Sequence, residues 1–143
     1  MDNPLLPYPL LLKRGMLAVF IAVFANSVIL LVVTGGSLVQ PFGALTAPPV
    51  LFLTIFGCIA ATAVYGALTR ISPYPDRVFT VLAGVVLLLS FIPNLIILAA
   101  DPTATLGAVM TLMGMHVAVA VICVYSLTDR YSILTRSPEP PAE

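Results

Sequence analysis

At 143 residues, 60% hydrophobic and 8% charged, with a formal net charge of zero, the chain has too little polar surface to coat a water-soluble domain. A mean hydropathy of +1.12 points to the bilayer, and the lack of any basic block leaves nucleic acid no electrostatic footprint. Trp is absent, so an interfacial aromatic belt falls to Tyr and Phe.

The first stretch, residues 1–14, carries Pro4, Pro7 and Pro9 among leucines. Prolines at that density oppose a regular helix, so an irregular cytoplasmic arm at the headgroup level is expected. Lys13 and Arg14 precede an uncharged run over 15–36. Its length suits a span, since about 20 apolar residues cross the hydrocarbon core. A cleaved signal peptide fits poorly, because its apolar region runs only about 7–15 residues and no clean small-residue cleavage site follows.

A Gly- and Pro-rich loop then leads to a second span over 50–69, closed by Arg70 and Ser72-Pro73-Tyr74-Pro75. Asp76 is placed to cap a third helix over 78–99. Asp101-Pro102-Thr103 reads as a tight polar turn before a fourth span over 105–127. The tail 129–143 is cytoplasmic, and from about position 137 it is too polar and Pro-rich to pack, so disorder is expected there. The fold class is therefore all-α: an integral membrane bundle of four transmembrane helices.

Orientation follows from the cations. All six (Lys13, Arg14, Arg70, Arg77, Arg130 and Arg136) lie before the first span, between the second and third, or after the fourth. The positive-inside rule puts both termini and the middle loop in the cytoplasm and the protein in the cell membrane.

Residue counting at about 1.5 Å per residue brings Asn26, Ser90 and His116 to one depth near mid-membrane, with Thr62 at a similar level. Asn94 follows Ser90 by one turn, next to Pro93, whose ring frees the Leu89 carbonyl to seek a donor. Polar groups in hydrocarbon find partners across helices, so Asn26, Ser90, Asn94 and His116 form the candidate site. His116, the single histidine, is open to two readings. In one it is uncharged interhelical glue to Ser90 or Asn26; in the other it is a ligand or proton-relay position.

Met110, Met113 and Met115 around it suit Cu(I) by chemistry, but apolar helices use methionine freely and core packing is the better account. A haem held by two histidines needs more than this chain supplies. No metal or cofactor is expected. Cys58 and Cys123 fall roughly 15 Å apart in depth by the same counting, too far for a disulfide, so they are expected as buried free thiols. Small residues recur at Ala18, Ala22 and Asn26, at Gly57-x-x-x-Ala61 and at Gly114-x-x-x-Ala118, a spacing that permits close helix approach.

Asn26, Ser90-Phe-Ile-Pro93 and Met115-His116 together resemble a family of small prokaryotic four-span membrane proteins classed as a domain of unknown function. The resemblance covers roughly residues 14–128. It implies a four-helix membrane protein and no activity, substrate or cofactor.

No nucleophile–base pair, paired carboxylates or metal-ligand spacing appears, so no enzyme is expected. The leading expectation is a structural, accessory or partner-binding subunit. Its partners would be the lipid bilayer and either a second copy or another membrane protein. A small oligomeric transporter or channel using the polar cluster is the alternative, with a redox or quinone-binding module behind it.

Overall fold

The computed structural model describes residues 7–39 and 43–128. It contains four helices: α1 (Tyr8–Gly35), α2 (Ala47–Ile71), α3 (Pro75–Ala100) and α4 (Leu106–Leu127). Each is long and apolar enough to cross a membrane. A spanning segment must satisfy its backbone internally, and uninterrupted helices do so. The protein is an integral membrane four-helix bundle, with lipid-facing surfaces formed by side chains such as Phe20, Phe24, Leu31, Leu88 and Ile96.

The connections alternate direction, so α1 and α3 run antiparallel to α2 and α4. Helix α1 packs on α2 and α4, α3 packs chiefly on α4 and more thinly on α2, and α2 meets α4 across the diagonal. The buried stripe of α1 is Leu11, Gly15, Ala18, Ala22 and Asn26. These residues follow helical spacing along one face. A Cβ on Gly15 would fall 2.6 Å from Thr62 Cγ2, so the α1–α2 contact at this level depends on a residue without a side chain. Threonine hydroxyls bond their own helix. Thr34, Thr54, Thr62, Thr111 and Thr128 each donate to the carbonyl four residues back.

Helix boundaries differ from the sequence reading at several points. Helix α1 starts at Tyr8, not after Arg14, with Pro7 as N-cap and Pro9 in the first turn. The first-turn amides have no intrahelical acceptor, so a proline there removes nothing. The arm is thus helical from Tyr8, while its first six residues and the tail from 129 lie outside the described residues. The N-cap of α3 is Tyr74; Asp76 sits inside the first turn and accepts from the Tyr65 hydroxyl at 2.6 Å. Pro93 lies within α3, which continues through it to Ala100.

Two ends are closed by local bonding. At the end of α1, Leu38 N–H donates to Val33 O and Ser37 N–H to Thr34 O, with Ser37 at φ 54°. This is the Schellman arrangement, in which Ser37 takes the left-handed position that glycine usually holds. Between α3 and α4, Thr103 donates from its amide and its hydroxyl to Asp101 Oδ1. Those two bonds hold the Asp101 carboxyl below the usual carboxylate range.

Lys13, Arg14, Arg70 and Arg77 gather at one end of the bundle. There Arg14 Nη1 donates to Leu127 O at 3.0 Å, and the Arg70 guanidinium lies over the Tyr8 ring, 4.1 Å from its centroid.

The two cysteines correct the depth count. Cys58 and Cys123 are both free and buried, yet their sulfurs are 3.6 Å apart. The depth count assumed that spans end in common planes. Helix α4 stops at Leu127, which packs with Leu11 and Tyr65, while α2 continues to Ile71. That overhang removes the supposed offset between the thiols.

Candidate functional site

The gap where α2 and α3 pack thinly is a cavity of about 430 Å³. It lies along α2, α3 and α4, with Asn26 of α1 at its back. Its length on α4, from Leu112 to Cys123, is about 16 Å at 1.5 Å per residue. Space exists because the facing positions are small: Gly57, Ala60 and Ala61 on α2, Ala83 on α3 and Ala120 on α4. A Cβ added at Gly57 would meet nothing within 4 Å. Leu53, Phe56 and Val86 on the wall are 59%, 62% and 56% exposed, so the cavity opens sideways to the bilayer.

Among the wall residues none is charged, and the polar ones cluster at one level: Asn26, Thr54, Ser90 and His116. Three of the four residues expected as the site, Asn26, Ser90 and His116, therefore line one cavity. Asn94 does not. It is buried at 5% exposure, one turn beyond Ser90, and its Nδ2 lacks a partner among the described residues.

The hydrogen bonds differ from those expected. His116 bonds neither Ser90 nor Asn26: its Nδ1 lies 2.7 Å from the carbonyl of Leu112 in its own helix. Ser90 likewise donates to Leu87 O at 2.6 Å. The interhelical bond at this level runs from Asn26 Nδ2 to Thr54 Oγ1 at 2.8 Å. Thr62, which counting placed here, packs against Gly15 instead. The early start of α1 explains the exchange: with Tyr8 beside Arg70 at the end of α2, the residue of α2 level with Asn26 is Thr54 and not Thr62.

Proton positions follow from the acceptors. A carbonyl oxygen only accepts, so Nδ1 of His116 carries the hydrogen, which leaves Nε2 of an uncharged ring as an acceptor. Thr54 Oγ1 lies 2.7 Å from Val50 O and spends its proton there. It therefore accepts from Asn26, which requires the amide nitrogen at that contact. Among the described residues Asn26 Oδ1 is left without a partner, in a residue only 2% exposed. An unmet buried acceptor is costly, on the order of 1–3 kcal/mol, unless something donates to it.

A family model described as a family of unknown function, DUF6069, matches residues 8–132. The chain belongs to this family. The match takes in all four helices and every polar residue at the cavity level, in agreement with the resemblance carried by Asn26, Ser90-x-x-Pro93 and Met115-His116. No curated protein and no solved structure matches this DUF6069 chain.

Residues that sequence reasoning passed over now define the DUF6069 cavity. Thr54 orients Asn26, and Gly57-x-x-x-Ala61, whose spacing permits a close helix contact, supplies the empty volume instead. Gly114 is exposed, and a Cβ there would meet nothing within 4 Å, so it makes no close approach within the bundle. The signal available beforehand was the small and polar face Thr54, Gly57, Cys58, Ala61 at helical spacing.

Proposed function

We propose that this protein is a non-enzymatic binding protein of the cell membrane, an accessory or partner-binding subunit that holds one lipophilic molecule between α2, α3 and α4. The observation that carries the reading is the apolar cavity of about 430 Å³ itself, with Asn26, Ser90 and His116 among its lining residues. Volume supports it, since pockets for small molecules run roughly 300–1,000 Å³. The sideways opening supplies a route from the bilayer. Polar groups at a single level, with apolar wall beyond, favour a binding pocket over a transport pathway, which needs polar groups along its length. The cluster of Lys13, Arg14, Arg70 and Arg77 at one end supports a cytoplasmic location for that end.

The test is to purify the protein in lipid nanodiscs and identify retained lipophiles by mass spectrometry after exhaustive exchange into a defined lipid. Wild type should retain close to one molecule per chain. Gly57→Leu, whose side chain would grow into open space, should fold and lose it. Retention by Gly57→Leu at the wild-type level, or none by wild type, refutes the reading.

A further inference from the structure

The hydrogen-bond inventory at the polar level is lopsided. Ser90 has spent its only proton on Leu87 O, His116 its only one on Leu112 O, and Thr54 its own on Val50 O. The side chains that line the cavity here offer acceptors, His116 Nε2 and the lone pairs of Ser90 Oγ, with Asn26 Oδ1 sealed behind them. The second N–H of Asn26, whose first is held by Thr54, belongs to a residue only 2% exposed and does not offset them. A wall of acceptors in a low-dielectric site repels carbonyl, ether and ester oxygens and pairs with O–H groups.

From this imbalance we infer that the cavity selects a neutral lipid alcohol, a hydroxyl group on an apolar chain. The inference rests on the cavity being a lipid-binding site, as proposed above, and adds the chemical class. The absence of Asp, Glu, Lys and Arg from the wall disfavours ionised head groups, which gain no counter-charge there. Position orients the ligand. The hydroxyl lies at the level of His116, and the apolar wall beyond it runs to Cys123, about 10 Å further at 1.5 Å per residue. The chain therefore points toward the end of the bundle that carries Lys13, Arg14, Arg70 and Arg77. The volume of about 430 Å³ holds roughly 14 water-sized groups at about 30 Å³ each, enough for one chain. A second chain, in a two-chain alcohol, would leave by the side opening between α2 and α3.

The class predicts discrimination against a ligand that differs only by the donor. Two photoreactive probes serve, a diazirine-bearing 1-tetradecanol and the methyl ether of the same compound. Both are presented to the full-length protein in phosphatidylcholine nanodiscs, because that lipid has no head-group donor to compete. Labelled peptides are mapped by mass spectrometry. The alcohol should label the wall of α3 around Leu82, Ala83 and Val86, and the ether about tenfold less at equal membrane content, as the loss of a hydrogen bond to a desolvated acceptor implies. Preference for the alcohol should shrink in His116→Leu and, separately, in Ser90→Ala, without loss of cavity labelling. Equal labelling by both probes overturns the alcohol class and leaves the lipid site standing. Failure of both probes to label the cavity overturns the lipid site itself.

Discussion

The bond between Asn26 and Thr54 is the polar contact that joins two spans at mid-bundle. Its removal from either side has unequal consequences. Thr54→Val keeps shape but strips Asn26 of its partner, leaving a buried amide with nothing to donate to. Asn26→Leu removes the bond and also the unmet Oδ1, so part of the loss is returned. Interhelical hydrogen bonds in membranes average about 0.6 kcal/mol with a maximum near 1.7. The expected order is Thr54→Val destabilising by about 1–2 kcal/mol and Asn26→Leu by less, with the double variant more stable than Thr54→Val alone. Reversible unfolding in detergent measures all three. Additive losses would mean that the two side chains do not pair.

At the scale of the helices, register separates the structure from simple counting. Helices α2 and α4 run parallel and bring Cys58 and Cys123 to 3.6 Å. Catalysed oxidation of the protein in nanodiscs should join them within one chain, read as a faster-migrating monomer on a non-reducing gel and a linked peptide by mass spectrometry. Moving the thiol to the level that counting from common ends suggests, in Cys58→Ala/Leu68→Cys, should suppress the cross-link. Efficient linkage from position 68 with none from 58 would show the register to be wrong. The physical basis is the overhang of α2 past Leu127, where Arg14 Nη1 takes the last carbonyl of α4. A helix end satisfied by an arginine from a neighbour does not have to extend to the plane where α2 stops.

Over the whole molecule, the positive-inside rule turns the segregation of cations into a prediction of which way the bundle sits. Arg14 and Arg70 also make contacts at that end, to Leu127 O and to the Tyr8 ring. Reporter fusions at Ala44, Pro73 and Glu143 test the orientation. Activity of a cytoplasmic reporter is expected at Pro73 and Glu143 and of an exported one at Ala44. An exported signal at Pro73 would invert the bundle and reverse the end toward which the bound chain points. At the same scale, α3 has only Phe79 and Asn94 buried, so most of its surface faces the bilayer.

Composition and local pattern were enough to determine that this chain crosses a membrane four times as helices. That conclusion needs only apolar length and the cost of exposing backbone to hydrocarbon. The depth of Asn26, Ser90 and His116 was also legible, since each lies in the uninterrupted middle of its run and the three do line one cavity. Two things were beyond its reach. Which residue of α2 meets Asn26, and whether Cys58 meets Cys123, depend on where each helix stops relative to its neighbours. That is set by contacts among distant residues such as Arg14 with Leu127 and Gly15 with Thr62. The cavity likewise cannot be read from one helix. Gly57, Ala61, Ala83 and Ala120 make equally good close contacts or empty space, and only the thin packing of α2 on α3 turns them into volume.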